Sequence, residues 1–412
     1  MKVLWFTNTP SLYSKSKSLY NGGGWIESLE RIISENENIE LGISFFHDDD
    51  LFKIREGNTT YYPISLYNTA LKKLKHNLFY SRYDDIEIAS YLKVINDFKP
   101  DVIHIFGSEN SFGLINSLVE VPVIIHIQGI LNPSLNAYFP PSYSKLDLIF
   151  RYLIHPIKLL HFLRVFNYFE YNAKREIKIF KDCKFYIGRT RWDKNVIPIY
   201  SPNAKYFYCS EVLKDVFYTS APWQLKTRDK LFIMSTVSKT FYKGFDLILK
   251  AAKLLKEFTN LKFEWIVFGV DEYTEWEKVL GIKCEDVNVY LKGVADSSTI
   301  VKSIQESDLF VHPSYIDNSP NSICEAQILG IPVISSNVGG IVSLIEDNKT
   351  GYLIPANDPF CLVAKIIELK NNMDSAAEIG TNGRDAALVR HDKETIKNDL
   401  NNIYKELYIC KN

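Results

Sequence analysis

The chain has 412 residues, more than one ordinary core accommodates, so about two domains are expected. Hydrophobic residues make up 46% and charged residues 24%, a balance that excludes a disordered chain. The net charge of −1 gives no bulk attraction to polyanions, and no nucleic-acid partner is assigned.

The 25 Tyr and 25 Phe fit either an aromatic core, the plainer reading, or sugar-stacking surfaces. Six cysteines (183, 209, 284, 324, 361 and 410) form no C-x-x-C pair, and the expectation is reduced thiols in a cytoplasmic protein. The opening MKVLWFTNTP is too short in its apolar run for a signal peptide, and every long apolar stretch carries charges.

In chain order, short β-rich runs alternate with amphipathic segments. Predicted strands lie at 3–7, 41–46, 102–106, 123–127 and 185–187, then at 231–236, 263–268, 289–291, 309–312 and 333–335. Helical periodicity marks 87–98, 245–258, 299–306 and 361–371. Such alternation implies parallel sheets with right-handed crossovers. The stretch 218–229 holds a proline, small polar residues and charges, and reads as a break. Two doubly wound α/β domains are therefore expected, 1–220 and 221–412, with the last amphipathic run, 394–409, a candidate to fold back onto the first. Domains of this kind bind ligands at the carboxyl ends of their strands, and two facing each other would form a cleft.

Gly22, Gly23 and Gly24 open a helical run marked by Ile26, Leu29, Ile32 and Ile33. A dinucleotide-binding turn needs G-x-G-x-x-G directly after the first strand. Here Glu27 takes the third glycine's place and the loop comes too late, so that reading fails. Asp48, Asp49 and Asp50 outline a D-x-D metal site without His or further acids in register, and no metal is assigned. His126 and Gln128 share one face of a strand, where either a ligand contact or an ordinary strand residue fits. Between 145 and 184, nine Lys/Arg face four acids among Tyr, Phe and Leu. Contact with an anionic membrane surface is one reading, and two surface helices each covering one apolar face is the plainer one.

The stretch 312–336, HPSYIDNSPNSICEAQILGIPVISS, reads as strand, polar loop, helix and strand. Asp317 and Glu325 lie eight apart, separated by Asn318, Ser319, Pro320, Asn321 and Ser322 among others. Ser319 suits an N-cap and Pro320 the first helical position, leaving backbone N–H groups free for an anionic diphosphate. Glu325 would accept from ribose hydroxyls and Asp317 would hold those of a transferred sugar. The plain alternative is a strand–loop–helix with solvated acids. Upstream, Lys239, Lys243 and Gly244 lie in the STVSKTFYKGFD stretch; downstream, Gly339 and Gly340 would permit close backbone approach to phosphate.

These segments, in this order, resemble the retaining glycosyltransferases of family 4, the bacterial group 1 type. Asp317 stands for the first acid of the family's Glu-x(7)-Glu motif, one methylene shorter, while Glu325 followed by Ala326 matches the second. Lys243-Gly244 matches the family's Lys-Gly. The preceding Arg position holds Ser238, with Lys239 beside it as a substitute that lacks the guanidinium fork. Residues 338–341 and 349–355 are similar to the family's GG turn and the strand after it. Residues 99–104 are similar to its "kPDviH" strand, where His104 reads as structural. Residues 121–129 are similar to the next strand, with Gln128 in the usual His position. Residues 187–193 and 203–211, including Arg189, are similar to a bacterial branch.

The resemblance implies a GT-B fold of two Rossmann-like domains and a retaining transfer of sugar from a nucleotide-diphosphate sugar, UDP- or GDP-linked, with no other cofactor and no metal. It makes Lys243, Asp317 and Glu325 the catalytic residues. It places Lys239, Gly244, Asn318, Ser319, Asn321, Ser322, Gly339 and Gly340 on the donor. It places Gly22, Gly23, Gly24, His126, Gln128 and Arg189 on the acceptor side. The implied acceptor is a glycan or lipid-linked oligosaccharide of bacterial surface polysaccharide synthesis, met in the cytoplasm or on the inner face of the membrane. A GT-B-fold sugar-nucleotide epimerase and a non-catalytic sugar-nucleotide-binding relative stand as alternatives.

Overall fold

The computed structural model describes residues 1–14, 24–48, 51–67, 69, 71–73, 83–141, 143–271 and 274–411. Gly22, Gly23, Asp49 and Asp50 lie outside the described residues. The chain divides into two compact units. The first comprises Met1–Leu135, Lys145–Val212 and Asp392–Asn412, and the second Asn136–Ser144 and Leu213–His391.

The first unit is built on an eight-stranded sheet: β1 (Lys2–Phe6), β2 (Glu40–Phe46), β3 (Ile54–Glu56), β4 (Thr59–Ile64), β5 (Val102–Phe106), β6 (Val123–His126), β7 (Phe185–Gly188) and β8 (Lys205–Tyr208). The order is β3-β4-β2-β1-β5-β6-β7-β8, parallel throughout except for the β3–β4 hairpin. Strand β1 is central, and Val3, Leu4, Trp5 and Phe6 are fully buried, as strands covered by helices on both faces require. The β3–β4 hairpin has no counterpart among the predicted strands. Its second strand, TTYYPI, carries Pro63, which pairs with Phe45 of β2 beyond the reach of β3, so the missing N–H costs no ladder bond. Gly57, at φ 59°, makes the turn.

The helix Lys393–Lys411 belongs to this first unit. Ile396, Leu400, Ile403, Tyr404 and Leu407 are buried in the same apolar cluster as Trp5, Leu41 and Ile43. Tyr404 also serves polar needs inside the core. Its hydroxyl accepts from Trp5 Nε1 (2.9 Å) and shares a hydrogen bond with His104 Nδ1 (2.6 Å).

The second unit has a six-stranded, wholly parallel sheet: β9 (Leu231–Thr236), β10 (Phe263–Phe268), β11 (Val289–Leu291), β12 (Leu309–His312), β13 (Val333–Ser336) and β14 (Tyr352–Ile354). The order β11-β10-β9-β12-β13-β14 is that of a doubly wound dinucleotide-binding sheet, with its topological switch between β9 and β12. The helix Phe245–Phe258 covers one face with Leu247, Ile248, Ala251 and Leu255, and leaves only Phe258 among its large apolar residues exposed.

The boundary differs from the expected 220/221. It falls after Val212, because Leu213, Phe217 and Trp223 are buried in the second unit's core with Ile304, Phe310 and Leu329. The proline-containing stretch is therefore a packed part of the second unit. Residues 136–144 were expected in the first domain, yet they also join the second unit. Tyr138 and Phe139 meet Phe241 at ring separations of 6.0 and 5.8 Å, and Tyr143 meets Trp276 at 5.6 Å.

Candidate functional site

The loops leaving the carboxyl ends of β9 and β12 meet at the switch point. After β9 the chain makes a short turn, Phe241–Lys243, and enters the helix Phe245–Phe258 through Gly244. Gly244 has φ 75°, and a Cβ there would lie 2.0 Å from the Pro313 carbonyl oxygen, so no other residue fits between the two loops. Two further bonds latch the loops. The Tyr315 N–H donates to the Tyr242 carbonyl (2.8 Å), and the Tyr315 hydroxyl to the buried Asp246 carboxylate (2.8 Å).

This proximity brings Lys243 Nζ to 2.6 Å from Asp317 Oδ2. Burial alone would raise the Asp317 carboxyl. The Lys243 ammonium and His312 outweigh it and hold the group well below the ordinary carboxylate range. The same pairing raises Lys243 against its own burial. His312, the last residue of β12, places Nε2 3.1 Å from Asp317 Oδ2 and 2.9 Å from Ser314 Oγ, with Nδ1 3.3 Å from Ser322 Oγ. Burial lowers its pKa despite the adjacent carboxylate, so the ring is neutral near pH 7. A carboxylate only accepts, which fixes the Nε2–H tautomer and makes Nδ1 the acceptor for Ser322. The Asn318 N–H completes the cradle by donating to Asp317 Oδ1 (3.1 Å).

The helix Asn321–Leu329 follows. Pro320, with φ −68° and ψ 121°, occupies the N-cap and Asn321 the first helical position. The cap expected at Ser319 is displaced by one residue: Ser319 is buried with its hydroxyl 4.0 Å from Cys324 Sγ. The Asn321 and Ser322 N–H groups precede the first intrahelical bonds, which run from Ile323 and Cys324 to the Pro320 carbonyl. Glu325 is half-buried one turn from Ser322, and burial pushes its carboxyl up to about 8 against the opposing pull of Lys214.

Gly339 and Gly340 lie against the back of this loop. The Gly340 N–H donates to the Asp317 carbonyl (2.9 Å), and a Cβ on Gly339 (φ 51°) would sit 2.0 Å from that oxygen. Their close approach is thus to the Asp317 backbone, and the Gly340 amide is engaged there. Lys239 lies apart from the cluster, exposed and paired with exposed Asp271 at 2.8 Å.

The structure therefore brings Lys243 and the Asn318 N–H onto the Asp317 carboxylate, with Ser322 reaching it through His312, Gly244, Gly339 and Gly340 packed against the loop backbone, and Asn321 and Glu325 on the adjoining helix. His312 and Ser314 were missed. The signal was a histidine closing an otherwise apolar strand immediately before Pro-Ser.

In the first unit, Gly24 is the first residue of the helix Gly24–Ser34. Gln128 is half-buried just beyond β6. His126, at the end of β6, is fully buried. Neither ring nitrogen has a hydrogen-bond partner, and the ring stacks on His104 (5.4 Å, 14°) and meets Trp25 edge-on (5.2 Å). Burial, with smaller contributions from His104 and Arg189, holds it far below the ordinary imidazole range. Arg189 is buried, ion-paired with the fully buried Glu211, and lies 5.1 Å from the Trp25 ring centre.

Residues 219–386, most of the second unit, match the family model described as Glycosyl transferases group 1. Among curated proteins, the amylovoran biosynthesis glycosyltransferase AmsK of Erwinia amylovora is 31% identical over 161 residues, 36% of this chain and 39% of that protein. The matched stretches span less than half the length of such relatives. Among solved structures, a sucrose-phosphate synthase from Thermosynechococcus elongatus aligns over 99% of both chains with TM-score 0.76 at 14% identity. Anabaena HepE, solved with UDP and glucose, aligns over 98% of this chain and 100% of its own with TM-score 0.65 at 13% identity. The fold is GT-B.

Proposed function

We propose that this chain, a GT-B protein whose second unit carries the group 1 glycosyl transferase sequence, moves a sugar from a nucleotide-diphosphate sugar to a glycan or lipid-linked acceptor with retention of configuration. The observation that carries this reading is the Lys243–Asp317–His312 cluster at the switch point of a dinucleotide-type sheet, beside the open start of the helix Asn321–Leu329. The relatives' part in polysaccharide synthesis and the UDP held by Anabaena HepE point the same way.

In this mechanism the donor diphosphate lies on the Asn321 and Ser322 N–H groups, where the helix terminus favours negative charge. Lys243 turns from Asp317 toward the phosphate as the glycosidic C–O bond breaks and offsets the charge gained by the leaving nucleoside diphosphate. Asp317, freed of Lys243 but still held by His312 and the Asn318 amide, accepts hydrogen bonds from the sugar hydroxyls. Glu325 accepts from the ribose hydroxyls. The acceptor oxygen attacks from the face the nucleotide leaves, and its proton passes to the departing phosphate oxygen. The first unit is assigned the acceptor.

A thermal-shift screen with UDP, GDP, dTDP and CMP tests the donor. A nucleotide at about 100 times its Kd should stabilise the protein by about 2.7 kcal/mol, and Lys243→Ala should erase the shift. Transfer followed by NMR of the product anomer tests retention. A folded protein that shifts with none of these nucleotides and releases none from their sugars would remove the proposal.

A further inference from the structure

The stretch from 145 to 182 folds as an antiparallel helical hairpin, Lys145–Tyr152 and Pro156–Asp182, joined at Leu153–Ile154–His155. The two helices are held by Tyr152 against Phe162 and by Lys145, whose ammonium lies 4.3 Å from the Phe166 ring centre and 3.7 Å from Glu170. Leu148, Tyr152, Phe162 and Phe166 are the buried side of this hairpin.

Its other side is apolar as well. Leu146, Phe150, Leu153, Ile154, Ile157 and Leu160 are between 58% and 83% exposed, and the two most exposed, Ile154 and Ile157, stand at the tip. This is not the ordinary pair of surface helices with one covered apolar stripe. The helix Phe245–Phe258, comparably apolar, leaves one such residue in solvent. An apolar patch of this density marks a surface that is covered in use.

The charge around the patch identifies what covers it. Over residues 145–164, around the exposed apolar patch, Lys145, Arg151, Lys158 and Arg164 stand with one acid, Asp147, on a chain whose net charge is −1. A two-fold contact with a second copy would set these cations against themselves. The exposed apolar residues lie along one side of a helical hairpin and are flanked by cations, the pattern of an element that lies on a membrane surface.

We propose that this hairpin docks on an anionic lipid bilayer. Leu153, Ile154 and Ile157 enter the acyl boundary, and Lys158, Arg164 and Arg151 meet headgroup phosphates. Each cation near such a surface strengthens binding about fivefold at low salt.

The test is co-sedimentation of the purified full chain with phosphatidylcholine vesicles, with and without phosphatidylglycerol. The protein should sediment with the anionic vesicles, weakly with phosphatidylcholine alone, and less as salt rises. Ile154→Glu/Ile157→Glu and Lys158→Glu/Arg164→Glu should each weaken binding at least about tenfold with the melting temperature unchanged, because these side chains lie in solvent. No binding to the anionic vesicles overturns the proposal, and so does equal binding to both compositions. A concentration-dependent dimer abolished by Ile154→Glu/Ile157→Glu, without vesicle binding, would assign the surface to a second copy instead. The assay reads no sugar transfer, so its failure is separable from failure of the proposed activity.

Discussion

Each unit places histidine in a strand near its switch point, and the two settings differ in kind. In the second unit, His312 is one member of a network in which every polar neighbour has a partner, and the network surrounds the Lys243–Asp317 pair. In the first, His104 and His126 are neutral rings within an aromatic cluster, with three of their four nitrogens unpartnered. An imidazole buried without partners gains nothing from its polarity, whereas one that fixes a carboxylate controls the charge offered to a ligand. Residue type alone does not separate the two.

The sharpest way to break this contrast is at the ion pair. Lys243→Ala and Asp317→Ala should each lower turnover about 10²–10³-fold, with a melting temperature that still reports a folded protein. Wild-type turnover in both would show the cluster to be structural.

The next comparison sets His312→Leu against His126→Leu. The first removes the imidazole donor from Asp317 and should cost about 10–100-fold in turnover. The second removes two unsatisfied buried nitrogens, and should leave turnover within about twofold and stability equal or higher by about 1 kcal/mol. Equal losses in both assays would erase the distinction.

Proton linkage provides a third test, with opposite slopes in the two units. His104 is held down to about 3 and His126 is also strongly lowered, both by burial, so the unfolded chain binds more protons below its own pKa near 6.5. Each histidine's stabilisation is present above that pH and is lost on acidification, by about 2 kcal/mol at pH 5. His126→Leu should therefore shrink the fall in melting temperature between pH 8 and pH 5. Glu325 runs the other way. Its carboxyl is raised to about 8, so the folded form binds more protons, and stability is full below pH 4.5 and lost as pH rises through 8. Glu325→Gln should melt above wild type by a few degrees at pH 8.5 and equal it near pH 4. A constant offset across pH would refute the assignment.

The smallest expected effect is at Lys239. Its pairing with Asp271 is between exposed groups, and Lys239→Ala should change stability by less than about 0.5 kcal/mol. The donor KM should move less than about threefold; a tenfold rise would bring Lys239 into the donor site.

Asp317 and Glu325 were legible in the sequence through a strand end, a fixed spacing and a proline before a helix, and Lys243 through a separate Lys-Gly 74 residues upstream, which the structure sets against Asp317. His312 was not, because nothing in its own segment shows that Lys243, 69 residues upstream, makes its partner acid an anion. The expected fold was readable from alternation, but β3 and β4 were hidden by Pro63 and polar residues. The placement of 136–144 depends on Phe241 and Trp276, which no local pattern announces. The 145–184 stretch reads from its charges and aromatics as two surface helices each covering one apolar face, which does not show that residues on their other side are apolar and exposed as well.

The bond from Trp5 to Tyr404 joins residues 399 positions apart. During synthesis the Trp5 indole emerges well before this partner, which follows roughly 20–80 s later at about 5–20 residues per second. Until then the first unit has Trp5, Leu41 and Ile43 open on the face that the terminal helix later covers. The first unit therefore cannot close this face until the helix Lys393–Lys411, which follows the whole second unit in the chain, has been made. Deleting residues 393–411 should leave the protein a chaperone client rather than yield a folded first unit.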